Sequence, residues 1–249
     1  MPSVFVHGNP ETAAIWRTLT EELATRGVDD VVTVSPPGFG APIPEGWDGT
    51  AATYRSWLCD ELARFDEPVD LVGHDWGAGH VFGVLAERPD LVRTWAADCV
   101  GLTHPDYVWH DAAQAWQTPG TGEEVVQMMF GLPLAERVSM LEGLGLPPDV
   151  AADVADGLTA EMGACVLTLY RSAAQPAMAE LGTRLAATQL PPGLVIIATD
   201  DHYAGDRSMM DERIATYEAS AFVLEGLGHW WMFDGAAAAA EALIAHWRR

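Results

Sequence analysis

Three short stretches of this 249-residue chain hold the residue types that hydrolysis at a carbon centre needs. The first is Gly73-His74-Asp75-Trp76-Gly77, which follows the apolar run 69–73 and opens a helical pattern. Small residues on both sides of a central side chain mark a tight strand-to-helix turn, where a Cβ would clash. The central side chain then stands above the strand ends, beside the N–H groups and dipole of the next helix. With Asp75 there, the attacking group is a carboxylate, ionised at neutral pH. It can displace a leaving group from an sp3 carbon without help from a base, forming an alkyl ester. A lone aspartate is usually a loop cap; strand, glycines and helix together favour the nucleophile.

The second stretch, Gly226-Leu227-Gly228-His229-Trp230-Trp231, lies after the last expected strand and before the last expected helix. A histidine there reaches the top of the sheet and can activate water against an ester. His74 reads as a packed neighbour of the nucleophile. The histidine needs an orienting carboxylate. Asp200 and Asp201 follow the apolar run 194–199; Asp201 is favoured, with Asp200 its near competitor and Asp98 a more distant one. The third stretch, His7-Gly8-Asn9-Pro10, follows the first strand. Its turn can aim the Asn9 N–H at the same point as the Trp76 N–H, two donors for a tetrahedral oxyanion. The Asn9 amide and Trp76 indole are further donors, able to hold a departing halide or to satisfy local polar groups.

Placing these groups together requires strands that end at one edge. Apolar runs at 4–7, 30–35, 69–73, 94–100, 194–199 and 222–225 alternate with helical patterns at 12–26, 52–65, 76–88 and 235–247. Most of the runs lack polar alternation, as expected for parallel strands covered on both faces. The fold class is therefore α/β, a doubly wound, mostly parallel sheet of about six strands. Residues 104–190 differ: no convincing strand occurs, and helical patterns are broken at Pro119-Gly120, Gly131-Leu132-Pro133 and Pro147-Pro148. They read as a helical cap inserted into a core of residues 1–103 and 191–249.

Composition narrows the partners. A formal charge of −23 repels phosphate backbones and argues against nucleic acid. No apolar run approaches the roughly 20 residues that cross a bilayer, and no basic leader opens the chain, so neither a membrane span nor a signal peptide is expected. Cys59, Cys99 and Cys165 are too widely spaced for a zinc site or a disulfide framework and fit a reduced cytoplasm. No metal or organic cofactor is implied. Many of the ten tryptophans and nine methionines, among them Trp76, Trp109, Trp116, Trp230, Trp231, Met128 and Met129, fall near the expected site. An apolar pocket there suits a small uncharged organic substrate and water, although most of these residues belong to packing.

His-Gly-Asn-Pro at 7–10, Gly-His-Asp-Trp-Gly at 73–77 and Gly-His-Trp-Trp at 228–231, in this order, resemble the α/β-hydrolases that include epoxide hydrolases and haloalkane dehalogenases. The resemblance covers most of the chain and is weakest in the cap. It implies an α/β-hydrolase fold and a triad of Asp75, Asp201 and His229. In similar dehalogenases an Asn after His-Gly and the Trp after the nucleophile bind halide, and Asn9 and Trp76 match both. Epoxide hydrolases instead protonate the opening oxygen with two cap tyrosines. Leu169-Tyr170-Arg171 looks like the second of these; the first has no clear match, and His110 or Trp116 stands in its region. An alkoxide is far more basic than a halide, so the phenol matters more for an epoxide. Fluoroacetate dehalogenases typically carry Arg after the nucleophile, so Trp76 argues against a small carboxylate substrate. The favoured reading is epoxide hydrolysis, with haloalkane hydrolysis second. A ligand-binding or biosynthetic protein with redirected chemistry is a third. In the family His-Gly follows two further strands; here a sheet without them is expected, with the strand at 30–35 exposed at one edge. An open edge invites pairing, so monomer and homodimer both stay open.

Overall fold

The computed structural model describes residues 1–248. Six parallel strands form one sheet: β1 (Ser3–Val6), β2 (Val31–Val34), β3 (Val69–Gly73), β4 (Val92–Ala97), β5 (Gly193–Ala198) and β6 (Ser220–Leu224). Their spatial order is β2-β1-β3-β4-β5-β6. From β1 the chain steps outward to β2, returns, and then builds steadily the other way from β3. The direction reverses between β1 and β3, which pair with Val6 opposite Gly73. Loops leaving the two strand ends at such a point diverge and open a crevice. The His7–Pro10 turn and Asp75 leave those two ends. β2 forms the sheet edge, as its mixed exposure suggests.

β1, β3 and β5 are buried throughout, which explains their unbroken apolar runs. The exception, Asp70 in β3, is held by Arg93 and by the Thr94 hydroxyl, both from β4. Helix α1 (Arg17–Thr25) packs with α11 (Ala236–Trp247), and α2 (Ala51–Leu62) with α3 (Trp76–Glu87), flanking the sheet. Thr50 caps α2 by accepting from the Thr53 N–H. β4 stops three residues short of the run expected from sequence, because Cys99 turns left-handed at φ 49° and starts a 3-10 turn over Val100–Thr103.

Residues between β4 and β5 form only helices: α4 (Asp111–Gln117), α5 (Thr121–Phe130), α6 (Leu134–Gly143), α7 (Pro148–Gly157), α8 (Ala160–Ser172) and α9 (Ala177–Ala186). Pro133 and Pro147 sit at the N-caps of α6 and α7, so the expected breaks are helix starts. Arg171 on α8 grips Glu123 on α5. α9 packs on α3 and on the 3-10 turn, so the roof over the site consists of α4–α8. One helix, α10 (Arg207–Thr216), has no counterpart among the helical patterns of the sequence: it buries only Met210 and carries no apolar stripe. No described helix is long and apolar enough to cross a membrane.

Candidate active site

Asp75 occupies the bend between β3 and α3 with φ 51° and ψ −121°, a backbone state that non-glycine residues rarely adopt. The glycines around it permit close approach. A Cβ on Gly77 would lie 2.0 Å from the Val6 carbonyl oxygen, one on Gly73 2.6 Å from that of Gly77, and one on Gly8 2.3 Å from Asp75 Oδ1. The turn after β1 therefore touches the carboxylate, and the Asn9 N–H donates to Asp75 Oδ1 at 2.9 Å. Trp76 opens α3, so its N–H belongs to the first helical turn, whose donors have no partner within the helix.

His229 follows β6 and donates from Nδ1 to Asp201 Oδ2 at 2.9 Å. The other Asp201 oxygen accepts from the Tyr203 N–H at 2.8 Å. Asp200 is exposed and Asp98 engages His74, so of the three carboxylates Asp201 alone serves His229. The free His229 nitrogen, Nε2, lies 4.0 Å from Asp75 Oδ2. Burial lifts the Asp75 carboxyl to about 6, with His229 pulling against it. Burial and the His74 charge depress His229, but the Asp201 and Asp75 carboxylates outweigh them and hold it above its ordinary value. Asp201 is also buried, yet His229 keeps it below the usual carboxylate range. A carboxylate, an imidazole and a second carboxylate thus stand in one line, Asp75, His229 and Asp201.

Asp75 and His229 open onto a cavity of about 180 Å³ between the sheet and the roof. Asn9, His110, Trp116 and Tyr170 line it too, so six of the eight residues singled out from sequence meet there. Asp201 stands behind His229. Trp76 does not line this cavity: its ring stacks on Trp109, centroids 5.9 Å apart, and meets Tyr170 edge-on at 5.3 Å. As the first residue of α3 it turns its indole behind the phenol. Trp109 and Trp231 are also absent from the lining, and Met128 is exposed on the surface. Burial pushes the Tyr170 phenol well above its usual value, with Asp75 adding to the effect. His110 caps α4 by accepting the Ala113 N–H at Nδ1, and burial pushes it down to about 4. It is therefore neutral with its proton on Nε2. The Asn9 side-chain amide and the Trp116 indole nitrogen are buried without a hydrogen bond among the described residues.

Five lining residues escape the sequence reading: Tyr203, Ala112 from α4, and Met140, Leu141 and Leu144 from α6 and its end. Tyr203 carries a usable signal, because it follows the acid by two residues, within the reach of an aspartate turn. The α6 residues carry none, since nothing local says which cap helix faces inward. A larger cavity of about 520 Å³ lies beyond His110 and Asp201 and does not include Asp75. Glu11, His74 and His229, and Cys99, Asp201 and His229, each bring three possible metal-ligand atoms within 4.8 Å of one another. The carboxylates in both sets already accept protein hydrogen bonds.

The parallel sheet with its reversal at β1 and β3, and a carboxylate at the bend between β3 and α3, define an α/β hydrolase. The chain belongs to the alpha/beta hydrolase family, whose model matches residues 4–242. It is similar to a haloalkane dehalogenase of Mesorhizobium japonicum, with 28% identity over 141 residues. That match takes in 49% of this chain and 42% of the relative, so it spans less than half of the relative's length. Among solved structures, the haloalkane dehalogenase of Bradyrhizobium elkani superposes with TM-score 0.73 at 25% identity, over 99% of this chain and 91% of that one. The N-formylmaleamic acid deformylase of Pseudomonas putida superposes with TM-score 0.78 at 18% identity, over 98% and 91%. The last likeness is one of fold.

Proposed function

We propose that this hydrolase opens small uncharged epoxides through an alkyl ester on Asp75. Asp75 Oδ2 attacks a ring carbon, the carbon–oxygen bond breaks, and the oxygen takes its proton from Tyr170. The ester carbonyl is then Oδ1, already held by the Asn9 N–H. His229 takes a proton from water as the water oxygen adds to the Asp75 carboxyl carbon, and Asp201 steadies the imidazolium. On collapse the ester carbon–oxygen bond breaks and the leaving alkoxide takes the proton from His229 to give the diol, while the second proton of the water leaves the Asp75 carboxyl and, through solvent, returns to the Tyr170 phenolate. One observation carries this reading: the phenol of Tyr170 shares a small cavity with Asp75 and His229, while Trp76, the expected halide donor, does not line it.

Haloalkane hydrolysis on the same carboxylate is the second reading. It is favoured by two buried donors without protein partners, the Asn9 amide and the Trp116 indole, and by the dehalogenase relative. In this version Trp116 takes the place expected of Trp76. A panel of terminal epoxides and haloalkanes, read by diol chromatography and halide release, separates the two. Tyr170→Phe should lower epoxide turnover by about a hundredfold, the lower end of what a positioned acid contributes. It should leave halide release within a few-fold of the parent. Halide release without diol formation would transfer the assignment to the second reading.

A further inference from the structure

Beneath the site lies a second set of ionisable side chains that the proposed steps do not use. Asp98, after β4, receives three donors: the Asp75 backbone N–H at 2.9 Å, His74 Nδ1 at 2.5 Å and the Trp231 indole at 2.8 Å. Glu11, in the turn after β1, accepts from the Gly8 N–H at 3.1 Å and from the Trp230 indole. Its Oε1 also makes an ion-pair contact with His74 Nε2 at 3.4 Å. Glu11, His74 and Asp98 are each at most 2% exposed.

The donors are not scattered. Asp75 N–H belongs to the nucleophile turn, Gly8 N–H adjoins the Asn9 donor of the oxyanion turn, and Trp230 and Trp231 flank His229. We infer that Glu11, His74 and Asp98 are positioning residues, one buried carboxylate–imidazolium–carboxylate line that ties the three turns together and keeps a positive charge beside Asp75 and His229. The inference rests on the ester reading for what is being positioned. Two buried carboxylates sharing no cation would be costly, so the line needs His74 charged. Despite burial, Asp98 and then Glu11 hold His74 well above its ordinary value. Burial would also raise Asp98 and Glu11, but His74 holds both below the usual range.

The groups facing His74 are Asp98 and Glu11 on its two nitrogens, His229 with ring centroids 4.5 Å away, and His7, itself depressed by burial. Those facing Asp75 are His229, Glu11, His74 and the Asn9 N–H. The two neighbours from the line act on Asp75 in opposite senses: Glu11 raises its pKa and His74 lowers it. Asp98→Asn removes the anion on His74 Nδ1 and leaves only Glu11, at 3.4 Å, to hold the imidazolium, so His74 should lose a proton. Asp75 then loses a cation, and the acid limb of ester formation should move to higher pH. Glu11→Gln removes an anion while Asp98 keeps His74 charged, so that limb should move to lower pH.

Two measurements on the full chain test this. Ring-nitrogen NMR of selectively labelled histidine should show His74 with both protons at neutral pH in the parent and in Glu11→Gln, and with one lost in Asp98→Asn. Intact-mass rates of Asp75 labelling by a reactive terminal epoxide, taken across pH, should show limbs displaced in opposite directions in the two variants. A packing role alone would slow both without opposed displacement. A neutral His74 in the parent, or limbs that stay put, overturns the inference. Should Asp98→Asn not fold, the downward displacement in Glu11→Gln decides alone. If neither the parent within a single turnover nor His229→Gln takes a label from any epoxide or haloalkane, the ester reading falls; the nitrogen spectra still decide whether the line holds its charge.

Discussion

In the proposed ester mechanism Asp75 and His229 have different protonation needs, and their surroundings separate them. Attack requires the Asp75 carboxylate, and burial has raised that group to about 6. Ester hydrolysis requires a neutral imidazole, and the Asp201 and Asp75 carboxylates hold His229 above its ordinary value. Esterification cancels the Asp75 charge but leaves Asp201, the stronger of its two raising partners. On lowering the pH, hydrolysis therefore fails before attack does. Enzyme quenched during turnover near pH 6 should carry an alkyl adduct in its intact mass, and enzyme quenched at about pH 8 should not. A more direct trap is His229→Gln, whose amide cannot act as a base. Its adduct should approach one per chain. The same change removes the group that pulls Asp75 down, so labelling of this variant should have its acid limb above that of the parent. A chain that labels equally at Asp75→Asn would exclude the mechanism.

At the scale of elements, the site depends on how closely the turn after β1 and the bend after β3 approach. Gly77→Ala would place a Cβ 2.0 Å from a backbone oxygen of β1, where nothing flexible can yield. A loss of about 1–3 kcal/mol is expected, as for overpacking elsewhere, read as a lower denaturant midpoint. Gly8→Ala would meet the Asp75 carboxylate itself at 2.3 Å. It should abolish adduct formation and lower the midpoint by a similar amount, since the Asp75 Cβ, 2.4 Å from the added carbon, is fixed by the backbone. A variant of either glycine that keeps the parent midpoint would mean that this approach is not what the glycines serve. These turns are legible in sequence because glycines flanking a single polar residue, straight after an unbroken apolar run, have a steric cause that few other local structures share. The six strands and the segment between β4 and β5 are legible because burial on both faces and helical periodicity leave different marks. α10 is not, because a helix with one buried residue leaves no periodic mark. Nor is the aim of Trp76, which packing against Trp109 and Tyr170 decides. Asp98 and Asp201 both end strands beside the site, and only the three-dimensional placement of His74 assigns them to different histidines.

Across the whole molecule, charge is the least balanced quantity: 36 acidic side chains face 13 basic ones, for a formal −23. Many arginines are already paired with acids, as in Arg17 with Asp149 and Asp153, and Arg171 with Glu123. Most remaining acids thus have only other acids for long-range company. Exposed ion pairs contribute little each, and salt weakens them; salt weakens the more numerous repulsions as well. With acids almost three to one, the second effect should prevail. Raising sodium chloride from about 10 mM to about 300 mM shortens the screening length from roughly 30 Å to under 10 Å. A gain on the order of 1 kcal/mol would lift the melting temperature by about 2–4 °C for a domain of this size. The rise should level off once screening is complete, whereas a salting-out effect on apolar burial would continue with added salt. A melting temperature that is flat or falls over that range would mean that the arginine pairs, not the surplus carboxylates, dominate the surface energy.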